Sequence, residues 1–480
     1  MSFTEPENGI KDRKKNHHDL ISIKVTIIII LIALLMIPGS FIEDMVNERE
    51  TTKNQAFNET AKKWGRSQSV NGPILYVPVE YEKTIEKTVR VNNPKEGESG
   101  YEIVEEIETY TKELRILPEE LHINGEIIPE IRYKSIYEIL LYRSDINISG
   151  NFLLTEDDKY PATGKILWEE AFIAVGFSSM KSIKEVVDLS FGKENIKLEQ
   201  GLCKKDIYDY GLSSQVKIDH EAGKIIPFSY NLKLDGSCEL LFTPLGKETS
   251  VELRSEWADP NFTGNFLPNE RDISDSGFVA KWNVMHLNRE YPQNWEGEGL
   301  KNKIKGSRFG VKLIIPVDDY RKISRSVKYL LLFVSLTFLM FFLSESIAKK
   351  KIHPVQYILV GLSIVIFFVL LLSLSEHVAF ITSYVIAALS TISMISLYAM
   401  SIIKSKKFTG FIALALSMLY IFLYILLENQ DYSLLFGSLG LFLALSITMY
   451  ATRNIDWYNI KYEKDVLTGE NDEKDQTNQL

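Results

Sequence analysis

The chain has 480 residues, of which 45% are hydrophobic and 24% charged, with 54 Lys and Arg against 63 Asp and Glu. Charges of both signs are mixed along the polar part, and the net charge is −9, which argues against nucleic-acid binding, since that function needs a basic stripe. Charges almost disappear between Val327 and Ala451, so the average composition combines a polar half with a membrane-like half.

The first predicted element is a membrane anchor near the N-terminus. The apolar run VTIIIILIALLMI at residues 25–37 follows a basic tail, an order that also describes a cleaved signal peptide. The stretch after it, PGSFIEDM, lacks a clear small-x-small cleavage site. We therefore predict a cytoplasmic tail at residues 1–20 and an uncleaved transmembrane anchor at residues 21–42.

A β-rich domain is predicted next, at residues 66–326, after a membrane-proximal helix at residues 43–65. Short runs of alternating apolar and polar residues, the period of a half-buried strand, recur between Gly, Asn and Pro turns. Within ELHINGEII, the pair Asn124 and Gly125 predicts a hairpin turn. The stretch NNPKEGESG at residues 92–100 predicts a solvated hairpin tip. Many strands and few helical patterns indicate a β-sandwich-like domain.

Five more apolar runs predict membrane spans, because each is about 20 residues or longer, enough to cross a bilayer as a helix. The runs cover residues 327–348, 355–374, 378–403, 408–427 and 432–451. The predicted fold class is thus a membrane protein with an α-helical bundle of six transmembrane spans and a large extracytoplasmic β-sandwich-like domain inserted between spans one and two. Five spans cluster at residues 327–451, and a cytoplasmic tail follows at residues 452–480.

The short loops predict the orientation, because positive charge in short connections stays on the cytoplasmic side. Two of these loops contain lysines and alternate with SEH and ENQD; the lysines are Lys349, Lys350, Lys351, Lys404, Lys406 and Lys407. Both termini are therefore predicted to be cytoplasmic, with residues 43–326 facing outward. Basic residues also crowd the outer end of the second span, where we interpret them as snorkelling to lipid headgroups; they are Arg321, Lys322, Arg325 and Lys328.

Several unusual blocks in this order are typical of one bacterial family. They are ERE…AKKWG, NGPILYVP, IRYKSIYEILLY…ISGNF, PLGKETSVELRSEWADPNFTGNFLP, WNVMHLNREYPQNW, FGVKLIIPVDDYRKISRSVKYLLLF and HPVQYILVGLSIVIFF…LSLSEH. From about residue 20 to about residue 450 the chain resembles the CreD family of bacterial inner-membrane proteins. The resemblance implies a cell-envelope integrity protein of the Cre regulon, associated with envelope stress, β-lactam response and colicin tolerance.

The resemblance implies no agreed enzymatic activity, no cofactor and no established catalytic residues. We therefore expect a non-enzymatic protein of the inner membrane, whose partners are the lipid bilayer and an envelope protein or cell-wall component. Two alternatives stay open. One is a membrane-embedded enzyme or transporter for a lipid or cell-wall precursor, and the other is a sensor that modulates a separate kinase. The sequence leaves the oligomeric state undetermined.

Glu376 and His377, in LLSLSEHVAF, are the candidate residues of the membrane half. Adjacent residues on a helix point about 100° apart, so they could form one site only in a turn or with partners from other helices. A polar cap on a tight helical hairpin is the favoured interpretation, and a functional carboxylate at the outer mouth of the bundle is the alternative. Glu345, near the three lysines at residues 349–351, is interpreted as an interfacial charge pair.

The segment WNVMHLNREYPQNW, residues 282–295, is the candidate recognition surface of the outward domain. It combines aromatic residues with Arg and Asn, as recognition surfaces do; its candidates are Trp282, His286, Asn288, Arg289 and Gln293. The alternative is a strand that leaves the core with its polar residues satisfied locally. No histidine has ligand spacing, so a metal site is not expected. Cys203 and Cys238 could form a disulfide in an oxidising compartment, but two isolated cysteines are more often small buried residues.

Overall fold

The computed structural model describes residues 8–90, 101–315, 319–348, 351–429 and 432–453. The predicted hairpin tip at residues 92–100, Lys349, Lys350 and nearly all of the predicted tail at residues 452–480 lie outside these ranges. The chain divides into two compact units. The membrane unit comprises Met1–Asn54 and Val317–Leu480, and the β unit comprises Gln55–Pro316.

Most helices belong to the membrane unit. The helices are α1 Asn8–Trp64, α2 Lys301–Gly306, α3 Asp319–Lys328, α4 Leu330–Ala348, α5 Pro354–Ser375, α6 Phe380–Ile403, α7 Lys406–Glu428 and α8 Ser433–Thr452. Short 3-10 turns occur at Asp157–Lys159, Trp168–Glu170, Met180–Ser182 and His286–Asn288.

Helix α1 is a single helix of 57 residues that includes both the predicted anchor and the predicted membrane-proximal helix. It contains Pro38, which membrane helices tolerate better than soluble ones. It begins in the membrane unit, and its last turns, Gln55–Trp64, belong to the β unit.

Five helices in the described part of the chain are long and apolar enough to cross a membrane: Ile23–Trp64, Leu330–Ile347, Pro354–Ser375, Phe380–Ile403 and Lys406–Glu428. The run predicted as the last span falls on α8, whose described apolar stretch is Leu434–Tyr450. The prediction of several apolar helices beside a large β-rich domain is therefore confirmed.

Local chemistry explains where α5 begins and where α6 ends. Pro354 is the first residue of α5, a position where its missing N–H costs nothing. The preceding His353 accepts a hydrogen bond from the Val355 N–H at 3.3 Å through Nδ1, and its own N–H donates to Gln356. Helix α6 ends at Lys404, which has a φ of 54° and closes the helix in the left-handed conformation.

The β unit contains two sheets. The strands of the first are β1 Gln68–Arg90, β2 Tyr101–Ile116, β5 Lys165–Ile166, β6 Phe172–Phe177, β9 Glu199–Gln200, β10 Tyr210–Gln215, β12 Glu239–Phe242, β14 Pro260–Gly264, β17 Asn294–Glu296 and β18 Phe309–Leu313. Those of the second are β3 Glu120–Lys134, β4 Tyr137–Leu153, β7 Asp188–Phe191, β8 Glu194–Lys197, β11 Ile225–Ser237, β13 Glu248–Ser255, β15 Glu270–Ser274 and β16 Gly277–Met285.

One apolar core lies between the two sheets. Buried side chains alternate along the strands, as in β3, whose first eight residues alternate between exposed and buried. Ile74 of the first sheet and Ile123 of the second belong to the same cluster of buried residues. The second sheet has the strand order β15-β16-β13-β3-β4-β11-β7-β8, so β3, β4 and β11 are central and expose one polar face.

The predicted hairpin turn at Asn124 and Gly125 is wrong. Strand β3 runs straight through this pair, with Asn124 opposite Asn147 and Gly125 opposite Ile146 on β4. A Cβ atom at Gly125 would lie 2.9 Å from Leu253 Cδ2, so the Leu253 side chain of β13 packs closely over the glycine. The glycine therefore serves close packing inside the sheet, a role that the sequence cannot distinguish from a turn.

Candidate functional site

Glu376 and His377 lie in the turn that connects α5 to α6. The backbone N–H of His377 donates to Leu374 O at 3.0 Å, which closes the end of α5. The His377 side chain is exposed, whereas that of Glu376 is only 11% exposed. The two adjacent side chains thus differ in environment, and only Glu376 has side-chain partners among the contacts found in the described residues.

The partners of Glu376 come from two other helices. Arg49 Nε of α1 lies 3.4 Å from Glu376 Oε1, and the Tyr320 hydroxyl of α3 donates to the same oxygen at 3.3 Å. The ammonium of Lys53 lies 5.6 Å from the centre of the Tyr320 ring. We call Arg49, Tyr320 and Glu376 the Glu376 cluster. It joins α1, α3 and the α5–α6 turn through one carboxylate.

The basic residues of α3 continue this arrangement towards α7. Lys322 Nζ lies 2.9 Å from Glu428 Oε2 at the end of α7, and Arg325 donates to Leu426 O at 3.0 Å. Cations are favourable at the C-terminal end of a helix, where carbonyl groups lack partners. These two residues, predicted to reach lipid headgroups, therefore also bind a neighbouring helix.

A second charged cluster surrounds Glu345 of α4. The Glu345 side chain is 1% exposed and forms an ion pair with Lys24 of α1. Its other oxygen accepts a hydrogen bond from the Tyr357 hydroxyl of α5 at 3.0 Å. Lys24 also donates to Ile352 O at 3.0 Å and lies 5.9 Å from the centre of the Tyr357 ring. We call Lys24, Glu345 and Tyr357 the Glu345 cluster.

The Glu345 cluster changes the interpretation of this carboxylate. A nearby charge pair was expected, and the partner that the described residues provide is Lys24, from a helix more than 300 residues earlier in the chain. A buried carboxylate without partners would be very unfavourable, and both of its oxygens are satisfied here. The cluster therefore fixes α1 against α4 and α5 at the position of Lys24 along α1.

Helix α1 carries one member of each cluster. Lys24 and Arg49 are about 37 Å apart along a helix that rises about 1.5 Å per residue. This separation is close to the thickness of a bilayer with its interfacial regions, about 40 Å. The two clusters consequently attach α1 to the other helices near the two ends of its membrane-spanning part.

The two clusters differ in how far solvent reaches them. The Glu376 cluster is the more accessible of the two, since the Arg49 side chain is 50% exposed. The Glu345 carboxylate is shielded, with 1% of its side chain exposed.

Trp282, in the candidate segment of the β unit, is part of the apolar core. It is 2% exposed, and its ring lies against Phe262 and Phe309 with centroid distances of 5.6 Å and 5.8 Å. Its indole N–H donates to Phe266 O at 3.3 Å. The structure places this tryptophan between the sheets.

Arg289 and Gln293 are brought together in an internal network. Arg289 is 8% exposed, donates to Leu245 O at 3.0 Å and to the Gln293 side chain, and stacks on Tyr291 at 4.7 Å. Gln293 in turn donates to Leu117 O at 2.9 Å. Burial lowers the pKa of the Arg289 guanidinium, which the neighbouring Tyr291 partly opposes. These contacts hold the connection to strand β17.

His286 and Asn288 lie in the 3-10 turn after β16, where His286 is half-buried and Asn288 is exposed. The backbone N–H of His286 donates to Lys247 O at 2.7 Å. The segment thus divides into a buried group, Trp282, Arg289 and Gln293, and a surface group, His286 and Asn288.

Cys203 and Cys238 are free, half-buried thiols, and burial raises the pKa of each. Within the described ranges, no group of three or more His, Cys, Asp or Glu side chains is arranged to hold a metal ion.

Sequence reasoning missed the partners in both charged clusters. The partners lie in four separate stretches of the sequence, and no local pattern pairs any of them with a carboxylate; they are Lys24, Arg49, Tyr320 and Tyr357. The one available signal was the presence of ionisable residues close to membrane spans, which are often functional or paired.

Comparison with known proteins gives three results. The family model described as inner membrane protein CreD matches residues 20–458. Inner membrane protein CreD of Escherichia coli strain K12 is 28% identical over 450 residues, which cover 93% of this chain and 96% of the relative. Among solved structures, an M1 zinc metallopeptidase from Deinococcus radiodurans is 8% identical with a TM-score of 0.19, over 35% of this chain and 38% of that one. A score this low does not indicate a shared fold.

Proposed function

Because this chain belongs to the CreD family of inner membrane proteins, we propose that it supports cell-envelope integrity without catalysing a reaction. In this proposal the β unit binds an envelope component, and the membrane helices anchor that unit and respond to binding. The proposal assigns no catalytic residue and no cofactor.

The observation that carries the proposal is the attachment of α1 within each unit. In the membrane unit, α1 is held by the Glu345 and Glu376 clusters. In the β unit its last residue, Trp64, donates to Tyr142 O at 3.3 Å and stacks under Arg132 at 3.8 Å. A helix that is fixed by specific contacts at both ends can serve as an anchor, and it can also transmit a movement from one end to the other.

The proposal includes a definite topology. Six spans, with α8 as the last, would place both termini in the cytoplasm and residues 43–326 in the periplasm. Its support is the distribution of lysines in the short loops at residues 349–351 and 404–407.

Deletion of residues 70–320, with all six predicted spans retained, tests the role of the β unit. We expect the shortened protein to reach the membrane but to lose resistance to envelope stress. Immunodetection in membrane fractions controls for insertion. Unchanged resistance at a normal membrane level would contradict the proposal.

A second candidate function is an enzyme or transporter for a lipid or cell-wall precursor. It is favoured by the Glu376 cluster, which supplies a carboxylate with two partners beside the exposed His377. The double variant Glu376→Gln, His377→Ala distinguishes the two functions. Full complementation by a normally inserted double variant would remove the main support for chemistry at this turn, and loss of function with normal insertion would support it.

A sensor that modulates a separate kinase is the third candidate. Its support is the same attachment of α1, which could transmit binding at the β unit to the cytoplasmic side. Crosslinking in intact cells, followed by purification from membranes, should then recover a kinase together with the chain. Recovery of envelope components without a kinase would favour the first proposal.

A further inference from the structure

The exposed face of the second sheet carries two adjacent rows of short polar side chains. Strands β3, β4 and β11 provide Asn124, Asn147 and Asn231 in one row and His122, Ser149 and Ser229 in the other. We call these six residues the polar face. All six are exposed or half-buried, because the opposite faces of their strands form the core.

The row that contains His122, Ser149 and Ser229 continues onto neighbouring strands. Ser250 of β13 lies beside His122, and Asn283 of β16 lies beside Ser250. On the other side Ser190 of β7 lies beside Ser229, and Asn195 of β8 lies beside Ser190. One row of hydroxyl, imidazole and amide groups therefore crosses seven strands.

These residue types are unfavourable for the strands that carry them. Asn is depleted in β-strands, and an exposed sheet face is stabilised better by Thr or by β-branched residues. The pair Asn124 and Gly125 even resembles a turn, yet β3 continues through it. Residues whose intrinsic preference disagrees with the strand that contains them are expected to be retained for function.

The polar face lines several clefts that neighbour one another. Three clefts lie along it, with volumes of 560 Å³, 480 Å³ and 420 Å³. The first two share Asn147, and the last two share Ser190 and Ser229. The three clefts are thus neighbours on one exposed face of the sheet, and together we call them the groove.

The chemistry of this groove fits a linear ligand that is rich in hydrogen-bonding groups. Each Asn side chain offers two donors and an acceptor, and each Ser offers one donor and an acceptor. Strands lie about 4.8 Å apart, comparable to the length of one sugar ring, so a chain across the strands meets a polar group at each unit. An extended peptide would need free backbone groups at a sheet edge, and those of the central strands are already paired.

We propose that the polar face binds a linear, uncharged glycan strand laid across β3, β4 and β11. This inference rests on the proposed function, because it names the class of envelope component that the β unit would bind. The charged side chains that line the three clefts have an acidic excess, which disfavours an anionic polymer; they are Glu120, Asp188, Glu252 and Glu270 with Lys197 and Lys281.

The test uses the full chain in detergent and two soluble, uncharged probes, tetra-N-acetylchitotetraose and cellotetraose, with binding measured by calorimetry. We expect binding of at least one probe, and a comparison of the two shows whether an acetamido group is required. The double variant Asn147→Val, Asn231→Val should weaken binding by at least about tenfold, because two pairs of hydrogen bonds are lost. Val favours the strand, so the fold is retained.

Asn261→Val is the matched control, since Asn261 is also exposed in a strand but belongs to the first sheet. It should bind as the unaltered chain does. Failure of the unaltered chain to bind either probe, or equal binding by the double variant, would overturn the glycan inference.

The outcome is separable from that of the proposed function. If glycan binding fails while deletion of residues 70–320 still abolishes stress resistance, the glycan inference is wrong and the proposed function stands. If glycan binding is found and lost in the double variant while the deletion leaves resistance unchanged, the binding site is real and the proposed function is wrong.

Discussion

A single buried carboxylate, Glu345, has the largest predicted effect at the residue scale. Replacement by Ala leaves the Lys24 ammonium and the Tyr357 hydroxyl without their shared partner. Removal of one member of a buried ion pair costs about 3–5 kcal/mol, whereas replacement of both members by apolar residues is often nearly neutral. We therefore expect Glu345→Ala to lower the melting temperature in detergent more than the double variant Lys24→Met, Glu345→Met does.

An exposed ion pair provides the control for that experiment. Lys87 and Glu106 lie 2.7 Å apart on β1 and β2, with both side chains more than half exposed. Exposed pairs contribute little because water screens them. Glu106→Ala should leave the melting temperature unchanged, and an equal effect at both sites would contradict the role of the Glu345 cluster.

The two thiols give a prediction about pH. Burial raises the pKa of Cys203 and Cys238 above the usual value for a thiol, so less thiolate is present at neutral pH than in an unfolded chain. Alkylation by iodoacetamide should therefore be slow at pH 7 and accelerate above the pH at which a model thiol titrates. Both cysteines should label without reductant, as quantified by mass spectrometry, and protection of both until reduction would indicate a disulfide instead.

At the scale of the element, strand β3 makes opposite predictions for two adjacent residues. Asn124→Val should leave stability unchanged or raise it, because Asn124 faces outward and Val favours strands. Gly125→Val should lower stability by about 1–3 kcal/mol, because Leu253 and Ile146 occupy the space that its side chain needs. Thermal unfolding of the two single variants measures both effects. A large loss with Asn124→Val would be the result expected of a turn with positive φ.

The strands show how far the sequence predicts this fold. Alternation identified the regions of β4, β11, β13 and β16, because each has one face on the core and one in water. The region of β1 was identified as well, although residues 68–77 of that strand are buried on both faces. Short strands such as β5 and β9, with two residues each, have no detectable period. Their position depends on pairing with strands that are far away in the sequence. This pairing exists only in the folded chain, so the local sequence does not predict it.

The candidate site was predictable only in part. Glu376 and His377 were identified because charged residues are conspicuous between apolar runs. Their environment depends on Arg49 and Tyr320, which approach only when α1 and α3 pack against the α5–α6 turn. In the β unit, Arg289 and Gln293 were identified because their segment mixes aromatic residues with Arg and Asn, yet their hydrogen bonds go to the carbonyl groups of Leu245 and Leu117.

For the whole molecule, the proposed topology predicts the side of the membrane that each region faces. A reporter enzyme that works only in the periplasm should be active when it is fused within residues 120–300. A reporter that works only in the cytoplasm should be active when it is fused after Arg453. Lysine-rich short loops remain on the cytoplasmic side, which is the physical reason for this expectation. Reporter activity at both sites measures it, and periplasmic activity after Arg453 would indicate an odd number of spans.

The contact between Lys24 and Glu345 joins residues that are 321 positions apart, and this distance sets an order of assembly. A chain grows at about 5–20 residues per second, so Lys24 waits roughly 15–60 s before Glu345 exists. Throughout that time the first span is in the membrane without this partner, and its ammonium can stay at the lipid surface. The β unit is synthesised entirely within the same interval. The contact between α1 and α4 can therefore form only after the whole β unit has been synthesised. Assembly of the membrane unit thus follows synthesis of the β unit.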